Sequence, residues 1–228
     1  MIARAPVFLL LALATLAPGL RAQADTAWRT RLAARLDPGT AARVRPVIDS
    51  AADAGLPVGP LVSKALEGAS KLASSDRIVA AVQALHGQFR TAQRALGRHA
   101  SDGEVIAAAA LVRRGASESA LVALHRSRDH GALDIPLIVA GDLIAAGVPA
   151  DTALDVLAGV TRAGATDEQL LTLRRQVGHD IAAGATPAAA TRLRARPWAG
   201  APPAPPAGGP AGRRPDPGSA PPGQRGGR

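Results

Sequence analysis

Five times between residues 55 and 186 the chain repeats one short phrase: a glycine, an apolar residue, then Pro, Ser or Thr. The instances are Gly55-Leu56-Pro57, Gly115-Ala116-Ser117, Gly147-Val148-Pro149, Gly164-Ala165-Thr166 and Gly184-Ala185-Thr186. Each slot has a physical meaning at a joint between two helices. Glycine takes the left-handed conformation that closes a helix, and the apolar residue packs back on the last turn. Ser or Thr accepts the unpaired amides of the next helix, while Pro presets its first residue. Thr166 is followed at the third position by Gln169, and Ser101 by Glu104, the spacing of a capping box. From Gly97, a further joint, onward, successive joint glycines lie 17 to 20 residues apart, with one gap of 32. One helix plus one turn therefore repeats, and a pair of helices approaches the thirty-odd residues of helical-hairpin repeats. The aromatic and proline signature of tetratricopeptide repeats is absent.

Between these joints the apolar residues keep helical time. Ile78, Val82, Leu85, Phe89, Ala92 and Leu96 follow one another at steps of four and three, one stripe along a long helix. Leu61, Val62, Ala65, Leu66 and Ala69 give the preceding segment a matching face, so the two are expected to bury each other. Aromatic residues make up only 2% of the chain against 47% hydrophobic, so the core must be built from Ala, Leu, Val and Ile. That composition suits closely packed helices better than a sheet, which favours β-branched and aromatic side chains. The predicted fold class is all-α, as stacked helical hairpins or as an irregular bundle, with a disordered C-terminal tail.

Residues 26–54 read as two short helices split near Asp37-Pro38-Gly39. Trp28, Leu32 and Leu36 share a face of the first, Thr40 is placed to cap the second, and Pro46 either kinks it or marks its start. After the central hairpin, helices are predicted over Asp102–Arg114, Glu118–Arg128, Pro136–Ala146, Pro149–Ala163 and Asp167–Ala183, with a short one from Pro187. Arg126 to Leu133 is the loosest internal loop and a candidate boundary inside a helical domain spanning residues 25–198.

The two ends differ from this middle. Residues 1–24 have the form of a secretory signal peptide: Arg4, an apolar run from Val7 to Ala17, a Pro18-Gly19 break, and small residues at Ala22-Gln23-Ala24. Asp25 is then the first mature residue, and loss of Arg4 and Arg21 lowers the formal charge from +9 to +7. A retained anchor needs about 20 apolar residues, more than this run supplies. Ile135 to Val148, the most apolar later stretch, contains Asp142 and fits a buried helix. Residues 199–228 hold nine of the 19 prolines and no apolar periodicity. Such a segment buries too little surface to offset its ordering entropy.

Within this frame the run from Gly55 to Leu85 carries a Gly-apolar-Pro turn, the stretch KALEG at Lys64–Gly68, and an R-I-x-x-A-V helix at Arg77–Val82. It resembles a segment of uncharacterised secreted bacterial α-helical proteins. The resemblance implies an exported helical protein, and it assigns no activity and no functional residue.

Chemistry is sparse. With no cysteine, disulfides, thiolate catalysis and Cys-ligated zinc are excluded. His125 and Asp129, with His130 and Asp134 nearby, are the best candidates for a metal, but their spacing matches no closed-site pattern, and a surface loop is the simpler reading. Asp49 with Asp53 and Asp151 with Asp155 lie four apart on helix faces. Asp151 sits in a first turn, where negative charge suits the helix dipole. Glu67 is placed to pair with Lys71 along one helix. No nucleophile elbow, phosphate-cradling loop or HExxH motif is present, so no catalytic, cofactor-binding or metal residue is assigned and no cofactor is expected. After removal of the first 24 residues only Trp28, Phe89 and Trp198 remain as aromatics, too few and too scattered to stack on nucleic acid.

The function these features favour is an exported, periplasmic or secreted, non-catalytic helical scaffold that engages another protein. The alternative is an envelope-associated protein whose basic tail holds anionic cell-surface polymer through Arg213, Arg214, Arg225 and Arg228. A helical hydrolase using Asp or Glu is the third reading, without a motif behind it.

Overall fold

A computed structural model describes residues 27–128 and 131–199. Residues 1–26, which include the stretch read as a signal peptide, Asp129, His130 and the four tail arginines lie outside the described residues. Ten α-helices follow in order, and no strand occurs among the described residues. They are α1 (27–33), α2 (Pro38–Asp53), α3 (Val58–Ser70), α4 (Ser75–Leu96), α5 (Asp102–Arg113), α6 (Glu118–Arg126), α7 (Asp134–Ala145), α8 (Ala150–Arg162), α9 (Asp167–Ala182) and α10 (Pro187–Ala195). A 3-10 turn, Arg196–Trp198, ends the series.

The packing decides between the two architectures left open by the sequence. Most helices from α2 onward pack on a sequence neighbour and, more tellingly, α2, α4, α5, α6, α7 and α8 each pack on the next helix but one. α2, α4, α6, α8 and α10 stack in one layer, and α5, α7 and α9 stack in a second. Contacts of α3 with α4, α4 with α5, α7 with α8 and α9 with α10 join the layers. This is the quasi-linear arrangement of stacked hairpins. One contiguous core runs through it, including Leu61, Val82, Phe89, Leu121, Leu137, Leu154 and Leu170, with Trp198 packed at its end. Across the Arg126–Leu133 loop, α5 packs on α7 and α6 on α8. The Arg128 guanidinium holds the loop down, bonding the Ala132 carbonyl and Asp167.

The joints explain why the layers alternate. At five of them the glycine has positive φ, from +67° at Gly55 to +99° at Gly184. In each, the amide two residues past the helix cap donates to a carbonyl five residues earlier, as in Leu56 N–H to Ala51 (2.8 Å) and Val148 N–H to Leu143 (3.0 Å). The joint between α3 and α4 makes the same bond, Ala73 N–H to Gly68, but with Leu72 in the left-handed slot at φ +53°. Leu72 is 93% exposed, so no packing compensates the strain. Gly97 follows another pattern, with a single amide bond back to Gln93.

Carboxylates tie successive helix starts within a layer. Glu104 caps its own helix through Ser101 N–H (2.8 Å) and reaches Leu133 N–H at the start of α7 (2.7 Å). Asp151, in the first turn of α8, accepts from Ser117 N–H at the start of α6 (2.9 Å). These groups satisfy amides that a helix leaves unpaired and oppose the positive end of its dipole. Partial burial pushes the Glu104 carboxyl upward, yet the Leu133 and Ser101 bonds and nearby His125 hold it below the ordinary value.

At α2 the cap is Asp37, not Thr40: its carboxylate accepts from Thr40 N–H (2.9 Å), and Pro38 occupies the first turn. The helix runs through Pro46 without ending. Pro46 and Ala42 are both exposed, so the carbonyl deprived of its donor can bond water. Gly68 has a steric role instead, since a β-carbon there would lie 2.7 Å from Ile78 Cγ1 on α4.

Leu72→Gly is expected to raise the unfolding free energy by up to about 1 kcal/mol, and Gly115→Ala to lower it by about 1–2 kcal/mol. Urea denaturation of the two variants checks the opposite signs.

Candidate functional site

The two faces expected to bury each other do so incompletely, and the shortfall marks the site. Ile78, Val82, Phe89, Ala92 and Leu96 of α4 are buried, but Leu85 is only partly covered. On α3, Leu61, Val62 and Ala65 are buried, whereas Leu66 and Ala69 stay partly open. The open residues border a groove with two lobes, on either side of the exposed ridge of α3.

One lobe, about 690 Å³, lies between α1 and α3 and is lined by Arg31, Ala34, Arg35, Leu66, Ala69 and Ser70. The other, about 430 Å³, has a floor of Leu85, Gln88 and Phe89 from α4, with walls of Pro60 and Lys64 from α3 and Ile106, Ala110 and Arg113 from α5. Ser63 and Glu67 border both lobes. The second lobe exists because α3 does not pack on α5 as α5 packs on α7. Ile106, 40% exposed, remains on its wall.

Charge around the groove is one-sided. Arg31, Arg35, Lys64 and Arg113 face a single acid, Glu67. Glu67 is already neutralised: Lys64 Nζ lies 2.6 Å from Oε2 and Lys71 Nζ 2.5 Å from Oε1. The chain has no lysine other than these two. The hydrogen bond from Lys64, then that from Lys71, holds the Glu67 carboxyl down to about 2. A group held that low stays ionised at physiological pH and cannot serve as a general acid there. The guanidiniums of Arg31, Arg35 and Arg113 have no ion-pair or hydrogen-bond partner among the described residues.

The acids singled out in the sequence are dispersed. Asp49 pairs with Arg29 of α1 (2.5 Å), and Asp53 and Asp155 are exposed. Among the described residues no group of three His, Asp or Glu is placed to hold a metal; His125 lies in the last turn of α6, and Asp134 begins α7. No helix among the described residues is long and apolar enough to cross a membrane. The Glu67–Lys71 pair is where the sequence put it. Sequence reasoning missed Lys64, three residues before Glu67, and the convergence of Arg31, Arg35 and Arg113, which are too far apart in the chain to show a local pattern.

No protein-family model, curated protein or solved structure matches the chain.

By NMR titration the Glu67 carboxyl is expected to protonate near 2, against an ordinary value of 4.5. Lys64→Gln should move that midpoint upward. Because the folded value is the lower one, any stability from this triad is present above about pH 4.5 and is lost as pH falls through about 2. It should be small and salt-sensitive, as for exposed pairs generally.

Proposed function

We propose that this chain is an exported, non-catalytic helical scaffold that uses the groove across α3 to hold a protein partner. The observation that supports this reading most is the groove itself. It is open to solvent, Leu66, Leu85 and Ile106 give it an apolar surface, and its rim carries arginines without an ion-pair partner among the described residues. Stacked hairpins commonly bind through such extended surfaces, since rigid helices present side chains without further folding cost. The ion pair that fixes Glu67 makes the one acid at the groove a structural strut. Export rests on the form of residues 1–24, and the resemblance of Gly55–Leu85 to secreted bacterial helical proteins points the same way.

Two measurements test the reading. Mass spectrometry of the protein from intact cells is expected to find a chain beginning at Asp25 in the envelope or medium; an unprocessed chain confined to the cytosol would defeat the export half. A photo-crosslinking residue at Ile106 is expected to give a discrete, saturable protein adduct in the envelope fraction, with none from the same residue at exposed Arg126. Equal labelling from both positions, or none from either, would defeat the scaffold half.

A further inference from the structure

The groove also carries information about what it accepts. Its surface is apolar at Leu66, Leu85 and Ile106, and its rim offers Arg31, Arg35 and Arg113 with no partner among the described residues. A ligand of charge alone, such as a polyanionic saccharide, would meet the arginines and leave the apolar surface wet. A neutral apolar segment would cover that surface and leave three guanidiniums crowded around it. The occupant that satisfies both has carboxylates at its edges and an apolar side chain between them. Phe89 is buried to 1% exposure, so no aromatic face is offered to a nucleobase. Both lobes open to solvent, which suits a peptide backbone and leaves an acyl chain exposed.

We propose that the groove receives an acidic protein segment laid across α3, with one apolar side chain set against Leu85 and Ile106 and carboxylates on Arg35 and Arg113. This rests on the scaffold reading and names its partner's chemistry. The lobes are separated by one helix, about 10 Å wide, so crossing from one to the other takes about three extended residues. Charge complementarity selects this occupant. The chain's own C-terminal segment, with Arg213, Arg214, Arg225 and Arg228 against Asp216 alone, has the wrong sign, and a second copy of a chain of formal charge +9 is disfavoured likewise.

The test is fluorescence anisotropy on the full mature chain with a labelled dodecapeptide repeating Glu-Leu-Ser. Controls replace every Glu by Gln, or every Leu by Ser. The parent peptide is expected to bind at least tenfold more tightly than either control, and to weaken as salt rises. Arg35→Glu with Arg113→Glu should weaken it at least tenfold, Ile106→Ser severalfold, and the remote Arg126→Glu not at all. Should the charge reversals lower the melting temperature, Arg35→Gln with Arg113→Gln replaces them, with the same direction expected. Equal binding of either control peptide, or indifference to the groove variants, overturns the proposal. So does dansyl-undecanoic acid binding that the groove variants abolish and the peptide does not displace, which reassigns the groove to lipid. Tighter peptide binding after deletion of residues 200–228 would name the tail as occupant, and a dimer that hides Ile106 would name a second copy. An Ile106 adduct that excess parent peptide fails to suppress ends this inference alone; absence of any adduct ends the scaffold reading.

Discussion

A residue in the left-handed conformation closes six of the helices, and the stack depends on it. Once that residue turns, the following amide bonds back into the finished helix, and the next apolar side chain lands on its last turn. Leu56, Ala116, Val148 and Ala165 are buried in this way. Ala185, at the last joint, is exposed. The chain then enters a new helix within two residues, and each new helix is thrown into the other layer. Burial of Leu and Val does the energetic work, at about 1.5–3 kcal/mol for each large side chain fully covered. The joints decide which faces meet. Buried alanines such as Ala92, Ala108, Ala140 and Ala153 keep the helices close without aromatic filling.

Much of this was legible because the joints need particular residues. A positive φ is cheap for glycine alone, so its recurrence announced the turns, and the capping spacings at Ser101 and Thr166 appear as capping boxes in the structure. Leu72 was silent, because it builds the same turn from a residue that gives no such signal. The cap at α2 was misplaced by three residues, since Asp37 and Thr40 are both good caps and only Pro38 at the first helical turn decides between them. Periodicity found the apolar face of α4, including Leu85. It could not say that nothing would arrive to cover Leu85, because that depends on α5 turning toward α7 and away from α3. The groove was invisible for the same reason: Arg31 and Arg113 belong to one site only after the chain has folded.

The structure also separates polar groups that build from those left over. Glu104 and Asp151 bind amides of the neighbouring helix in their layer, and Asp142 pairs with Arg174 and Asp180 with Arg194 (2.6 Å each). Three cations without such assignments, Arg31, Arg35 and Arg113, lie at the groove, where the apolar surface is also incomplete; others, such as Arg45, Arg90 and Arg162, do not line it. Coincidence of the two deficits on one face is what favours a binding surface over an ordinary solvated helix, because a single partner could relieve both.

Removal of α9 and α10 tests the stacked architecture most directly. In a quasi-linear stack, stability is shared between neighbours, so residues 25–166 should stay helical and unfold in urea in one cooperative transition. The slope of that transition should fall roughly in proportion to the surface lost. A truncated chain that keeps its helicity yet melts without cooperativity would show that the helices share one closed core, and would contradict a two-layer stack built joint by joint.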